Sequence, residues 1–128
     1  MIKVSETKRV FEMQYTVKQI HLTDDQINQV NTNPDVIPDF YKRYLDATMF
    51  PKSAKVIQAA YDDYKVVAKI DAYDLEEVFK IGNGMGDKTA ITRLAPMHSV
   101  SVGDIVVTED GKEYYVASFG WAIFEEVW

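Results

Sequence analysis

The side chains that could act as a base near neutral pH are the two histidines, His21 and His98. Residue types that could serve as nucleophile and orienting acid follow the second histidine closely, at Ser99, Ser101 and Asp104. Such a set would support hydrolysis. Neighbours in one strand point in alternating directions, however, and the Gly-x-Ser-x-Gly turn of many hydrolases is missing. We expect His98 and Ser99 to tie a strand to the preceding loop, and hydrolysis is the weakest alternative.

Pairs of adjacent carboxylates could bind a metal or share a proton, and they occur at Asp24-Asp25, Asp62-Asp63, Glu76-Glu77 and Glu125-Glu126. Sequence neighbours do not face each other across a cleft. The first pair follows Thr23 at a predicted helix start, where the helix dipole favours acidic groups. The His-Glu-x-x-His metal spacing is absent, and the lack of cysteine excludes thiolate sites and disulfides. We predict no catalytic residue, metal or cofactor.

Residues 82–90 form a glycine-rich segment, GNGMGDKTA, that could cradle a phosphate. In a P-loop, the lysine and the hydroxyl residue follow the last glycine directly. Here Asp87 separates Gly86 from Lys88, and no apolar strand leads into Gly82. We interpret this segment as a flexible connector.

An aromatic group near the end of the chain could stack nucleic-acid bases: Tyr114, Tyr115, Phe119 and Trp121. The net charge of −6 and the pI near 4.8 argue against this function. Most nonspecific affinity for nucleic acid comes from neutralising phosphates, which requires basic surface. The densest basic groups are Lys42-Arg43 and Lys52-Lys55, and both lie near aspartates in the sequence. Folding could still create a basic surface by gathering Lys8, Arg9, Arg93 and Lys112.

The stretch from His98 to Trp121 predicts a β-hairpin. Two apolar runs, Ser101 to Thr108 and Lys112 to Phe119, flank Asp110-Gly111, a dipeptide suited to a turn with positive φ. Both faces of the second run carry apolar side chains, so we expect cover on both sides of it. The side chains expected in the core are Phe79, Ile105, Val107, Val116 and Phe119.

Upstream, alternation from Phe11 to Lys18 predicts a half-buried strand, and the segment from Lys65 to Ala72 predicts another. Its members Val66, Ala68, Ile70 and Ala72 are expected on one face. Helix starts are predicted from capping residues and from proline at a first helical position, namely Thr23, Pro38, Ser53 and Asp74. A last strand is predicted over Trp121 to Trp128.

The hairpin stretch also resembles a known family. Its two strands read HSVSVGDIVV and GKEYYVASFGW, which is similar to the pattern of YodL-like domains from large proteins of bacterial mobile elements. With the upstream segments YDLEEVFKIGN and ITRLAPM, the sequence is also similar to small proteins of tailed viruses that infect marine cyanobacteria. It departs from the YodL-like pattern at Ala117, where Asp is common, and at Trp121, where Phe is common. The resemblance implies no activity and no catalytic residue.

The predicted fold is one α+β domain over residues 1–128, with a curved antiparallel sheet of about five or six strands and three or four short helices. A helix-rich segment spans about residues 23–64, and the YodL-like β segment spans about residues 66–128. A small, partly open barrel of Sm-like or SH3-like kind is the second architecture.

We expect a non-enzymatic protein, encoded by a phage or mobile element, that binds a host macromolecule, most simply a protein. The interaction surface is expected to include His98, Tyr114 and Trp121. The alternatives are a nucleic-acid-binding β-barrel and a hydrolase, and homo-oligomerisation remains open. No apolar run is long enough for a membrane span, and residues 1–9 are too polar for a signal peptide, so we expect a cytoplasmic protein, in the host cytoplasm if it is viral.

Overall fold

A computed structural model describes residues 12–49, 51, 53–117 and 121–123. The strands are β1 (Met13–Ile20), β2 (Tyr64–Ala72), β3 (Ile91–Arg93), β4 (Ile105–Val107), β5 (Glu113–Val116) and β6 (Trp121–Ile123). They form one antiparallel sheet of six strands in the order β3-β2-β1-β4-β5-β6. Within these residues four α-helices accompany the sheet, so the predicted α+β fold is confirmed. The order leaves β3 and β6 at the edges, and the described residues form an open sheet, not a partly open barrel.

Strand β1 lies inside the sheet. It pairs with β2 along its whole length and with β4 over Thr16–Lys18. Its alternating pattern buries Tyr15 and Val17 on one face. This confirms the half-buried strand predicted from the alternation, although Phe11 lies outside the described residues.

A bulge in β2 corrects one prediction about its faces. Val17 pairs with Ala68 but Lys18 pairs with Val66, which leaves Val67 as an extra residue. The extra residue reverses the alternation, so Val66 is 42% exposed while Val67 is buried. Val66 therefore does not share a face with Ala68 and Ile70.

The helices are α1 (Asp24–Thr32), α2 (Asp39–Thr48), α3 (Ala54–Ala59) and α4 (Leu75–Gly82), with short 3₁₀ turns at Tyr61–Asp63 and Lys88–Ala90. The predicted capping box is present at α1, since the Thr23 hydroxyl accepts from the Gln26 backbone and the Gln26 side chain accepts from the Thr23 backbone. Asp74 caps α4 in the same way, through the Glu77 N–H. Ser53 caps α3, and Pro38 stands just before the first turn of α2.

Helices cover both faces of the sheet. On one face, Val78 and Ile81 of α4 pack against a cluster that includes Tyr15, Val17 and Ile70. On the other face, α2 and α3 contribute Ala47 and Ile57 to a second cluster, which also contains Ile20, Tyr64, Ile105 and Tyr115. The hairpin strands are thus apolar on both sides because each side has its own core.

Part of the predicted core is correct. Ile105 and Val116 are buried, and Val107 is partly buried. The prediction for Phe79 is wrong, because this side chain is 37% exposed. Helix α4 buries Val78, Ile81 and Gly82 instead. Phe119 lies outside the described residues.

The hairpin strands are shorter than predicted. Residues 101–104 form a turn and not a strand, because the Asp104 N–H donates to the Ser101 carbonyl at 3.0 Å and Gly103 has a φ of 90°. The last strand, β6, is described only to Ile123, and residues 124–128 lie outside the described part. The Asp110-Gly111 turn is confirmed, with a φ of 85° at Gly111. Within the described ranges, no helix has the length and apolar character needed to cross a membrane.

Gly103 and Gly111 differ in one respect. Both have positive φ, but a Cβ on Gly103 would overlap the Ala47 carbonyl, whereas a Cβ on Gly111 meets no atom within 4 Å. Gly111→Ala should therefore lower the free energy of unfolding by about 1–2 kcal/mol through backbone strain alone. Gly103→Ala should cost clearly more, because α2 must also move. Chemical denaturation of both variants measures the difference, and equal losses would contradict this close packing.

Candidate functional site

The side chain of Gln19 is fully buried and joins β1 to the loop that carries His98. Its Nε2 donates to the His98 carbonyl at 2.9 Å and to Asp104 Oδ2 at 2.9 Å. Its Oε1 accepts from the His98 backbone N–H at 3.2 Å. The Gln19 amide thus bonds both backbone groups of His98, as a neighbouring strand would.

The two histidines lie side by side against this amide, with ring centroids 5.2 Å apart. His21 Nε2 lies 2.9 Å from Gln19 Oε1, and since that oxygen only accepts, the His21 Nε2 carries hydrogen. His98 Nδ1 lies 2.7 Å from the Ser99 carbonyl oxygen and therefore also carries hydrogen. Its 3.1 Å approach to Gln19 Nε2 is then a contact between two donors and not a hydrogen bond.

Asp104 is the buried acid of this cluster and is 1% exposed. Its Oδ2 accepts from the Ser101 backbone N–H at 2.9 Å as well as from Gln19. Burial raises the pKa of the Asp104 carboxyl to about 6, while the Ser101 N–H, the nearby His98 and the Gln19 amide act to lower it. Burial also lowers the pKa of His21, and the neighbouring His98 adds to that effect.

A hydrolytic triad does not assemble from these residues. The Ser101 hydroxyl donates to the Ser99 carbonyl at 2.7 Å. The His98 Nδ1, which an orienting acid would hold, bonds the Ser99 carbonyl and lies 3.9 Å from Asp104 Oδ2. The polar groups of the cluster form hydrogen bonds with one another, and these bonds fix the loop to β1.

Gln19 was missed at the level of sequence, although a signal for it exists. Continuing the alternation from Tyr15 and Val17 by two residues places Gln19 on the same buried face. A polar residue at a buried position requires a hydrogen-bonding partner. The partner itself could not be found from spacing, since His98 is 79 residues away along the chain.

The three residues expected in one interaction surface lie in three surroundings. His98 belongs to the polar cluster just described. Trp121 is partly buried and lines an apolar groove of about 500 Å³ with Phe79 and Met85. Tyr114 is partly exposed and lines a different groove, of about 730 Å³, together with Asp74 and other acidic residues.

The groove beside Tyr114 and an adjacent one of about 350 Å³ form what we call the acidic surface. The two grooves share Tyr73. The larger lies where β1, α4 and the β4–β5 turn meet, and the smaller lies between the end of β2, α4 and the glycine-rich segment. Eight carboxylates and two lysines line them: Glu12, Asp71, Asp74, Glu76, Glu77, Asp87, Glu109, Asp110, Lys80 and Lys112.

Several of these carboxylates accept hydrogen bonds from backbone N–H groups, and such bonds leave the negative charge in place. Asp74 accepts from Glu77, Glu77 accepts from Tyr73, and Glu109 accepts from Gln14 at 2.9 Å. The resulting field acts on buried Tyr15 at the floor of the groove. Burial raises the pKa of the Tyr15 phenol, and the Asp74, Glu109 and Asp110 charges add to the increase.

Two basic side chains elsewhere in the described ranges are paired with carboxylates. The Arg43 guanidinium is paired with Asp63 at 3.0 Å, and Lys18 is paired with Glu113 at 3.3 Å. Arg93 and Lys112 are separated by three intervening strands. Lys8, Arg9 and Lys52 lie outside the described residues.

In the glycine-rich segment, Thr89 donates hydrogen bonds to Asp87 of the same segment. The Asp87 carboxylate accepts from the Thr89 N–H at 2.8 Å and from the Thr89 hydroxyl at 2.6 Å. A phosphate at that position would meet a carboxylate already holding those donors. Across the described part of the chain, no group of three or more histidines and carboxylates is arranged to hold a metal ion.

Comparisons of the chain with protein-family models, with curated proteins and with solved structures gave no match.

Replacing Gln19 tests the role of the buried amide. Gln19→Leu leaves the Asp104 carboxylate and the His98 carbonyl without the donor they now share, so the free energy of unfolding should fall by about 3–5 kcal/mol. The matched control is Gln14→Leu, an exposed position on the same strand, which should change stability by less than about 0.5 kcal/mol. Urea denaturation measures both, and similar losses at the two positions would show that the cluster is unimportant.

The buried acid also predicts a pH dependence. Because the pKa of Asp104 is higher in the folded state than in the unfolded chain, the folded state holds its proton more tightly. This contribution to the free energy of unfolding is complete below pH 4 and decreases by up to about 3 kcal/mol as the pH rises to about 6. Asp104→Asn does not titrate, so the stability difference between parent and variant should change over this range. Parallel stability profiles from pH 4 to 7 would contradict it.

Proposed function

We propose that this chain is a non-enzymatic binding module, encoded by a phage or mobile element, whose partner is a positively charged host protein. The acidic surface carries the proposal. Its eight carboxylates outnumber its two lysines, and the resulting negative charge is complementary to a basic partner. The phage or mobile-element origin is supported by the resemblance of residues 98–121 to YodL-like domains. Opposite charges on two proteins steer their encounter and set their orientation.

The aromatic residues of the hairpin favour a protein partner over nucleic acid. Tyr115 is buried. Tyr114 has one lysine beside it, Lys112, but the carboxylates of the same groove outnumber that lysine and repel phosphates. Stacking platforms for bases need neighbouring Lys and Arg, since phosphate contacts supply most of the affinity. A second copy of the chain is also a poor occupant of this surface, because two acidic surfaces would repel each other.

Capture experiments with two matched double variants test the function. Asp71→Lys with Glu76→Lys alters exposed residues of the acidic surface. Asp35→Lys with Asp46→Lys makes the same change in net charge at exposed positions outside that surface. From cyanobacterial lysate near physiological salt, the parent and the second variant should capture the same basic protein, and the first variant should lose it.

Identical capture by both variants would mean that the acidic surface is not the binding site. Titration of the parent with labelled single- and double-stranded DNA and RNA completes the test. Micromolar binding that weakens steeply with added salt would replace the proposal with a nucleic-acid-binding function.

A further inference from the structure

Lys112 lies against the ring of Tyr114 in the larger groove of the acidic surface, beside the hairpin turn. It precedes β5 by one residue, so its side chain and that of Tyr114 leave the backbone on the same side. The Lys112 Nζ lies 5.9 Å from the centroid of the Tyr114 ring, within the range of a cation–π contact. The ring face therefore already holds a cation.

We propose that the Tyr114 ring is the binding site for an arginine side chain of the partner, and that Lys112 occupies this site while the partner is absent. The inference rests on the proposed function and deepens it by naming the contact. Arginine fits because its planar guanidinium stacks on an aromatic face and at the same time donates paired hydrogen bonds to carboxylates.

The surroundings of the ring supply those carboxylates. Asp74, Glu109 and Asp110 line the same groove as Tyr114, and each is exposed. Burial raises the pKa of Tyr15, which lines the same groove, and the charges of these three carboxylates add to that increase. At about 730 Å³, the groove is within the size range of protein ligand sites and can admit a long side chain.

Lys112 can leave the ring without disturbing the fold. Its backbone is held by Thr108, whose N–H donates to the Lys112 carbonyl at 2.9 Å and whose hydroxyl accepts from the Lys112 N–H at 3.1 Å. Only side-chain rotation is then needed to clear the site. Because Lys112 is tethered beside Tyr114, it competes with an incoming arginine at a high effective concentration.

Titration with labelled hexa-arginine and hexa-lysine peptides tests the inference. Lys112→Met keeps the length of the side chain but removes its charge, and should tighten hexa-arginine binding about two- to fivefold. Lys55→Met makes the same charge change at an exposed position on α3 and should have a smaller effect. Tyr114→Leu should weaken hexa-arginine binding about two- to fivefold, and Tyr114→Phe should retain it, since the ring face is kept.

The double variant Lys112→Met/Tyr114→Leu separates local competition from general charge. Without the ring, removing Lys112 should give no more gain than Lys55→Met gives. Equal effects of Lys112→Met and Lys55→Met, or parent-like binding by Tyr114→Leu, would overturn the arginine site. If the Asp71→Lys/Glu76→Lys variant still fails to capture the basic protein in that case, the proposed function stands without this site. Absence of binding of both peptides to the parent would overturn the arginine site, and loss of the proposed function requires failure of the capture experiment as well.

Discussion

A single buried amide holds the two halves of this fold in register. The Gln19 amide forms hydrogen bonds with both backbone groups of His98 and with the Asp104 carboxylate. It thereby joins the interior strand β1 to the loop that leads into β4. That loop continues into Gly103, whose carbonyl accepts from the Tyr64 hydroxyl and whose N–H donates to Val116 at 2.8 Å. One side-chain amide thus fixes a point at which β1, β2, β5 and α2 meet, and a network of this kind is valuable only when all its members are satisfied.

The acidic surface is built on the same strand, β1. Strand β1 supplies the floor of the groove through Met13 and Tyr15, α4 supplies one wall, and the β4–β5 turn supplies the other. Backbone N–H groups cap the carboxylates of α4 and the turn, which lets acidic residues accumulate without leaving their oxygen atoms unsatisfied. Concentrating like charge costs stability through repulsion. The backbone hydrogen bonds to Asp74, Glu77 and Glu109 offset part of that cost.

Local signals predicted the parts of the fold that are built from local interactions. The capping residues Thr23 and Asp74 and the Asp110-Gly111 turn could be found because their partners lie within three or four residues. The bulge at Val67 could not, since it arises from the register between strands β1 and β2. The acidic surface was also out of reach, because residues as distant as Glu12 and Glu109 contribute to it and only the sheet order brings them together.

The position of β1 inside the sheet has a consequence during synthesis. Its partner on one side, β2, is complete at Ala72, whereas its partner on the other side, β4, begins only at Ile105. Ribosomes add about 5–20 residues per second, so one edge of β1 waits roughly two to seven seconds for its partner. Unpaired strand edges recruit other chains unless polar or charged side chains oppose it. Gln14, Thr16 and Lys18 make one face of β1 polar, and a lysine on a strand disfavours pairing of its open edge with another chain.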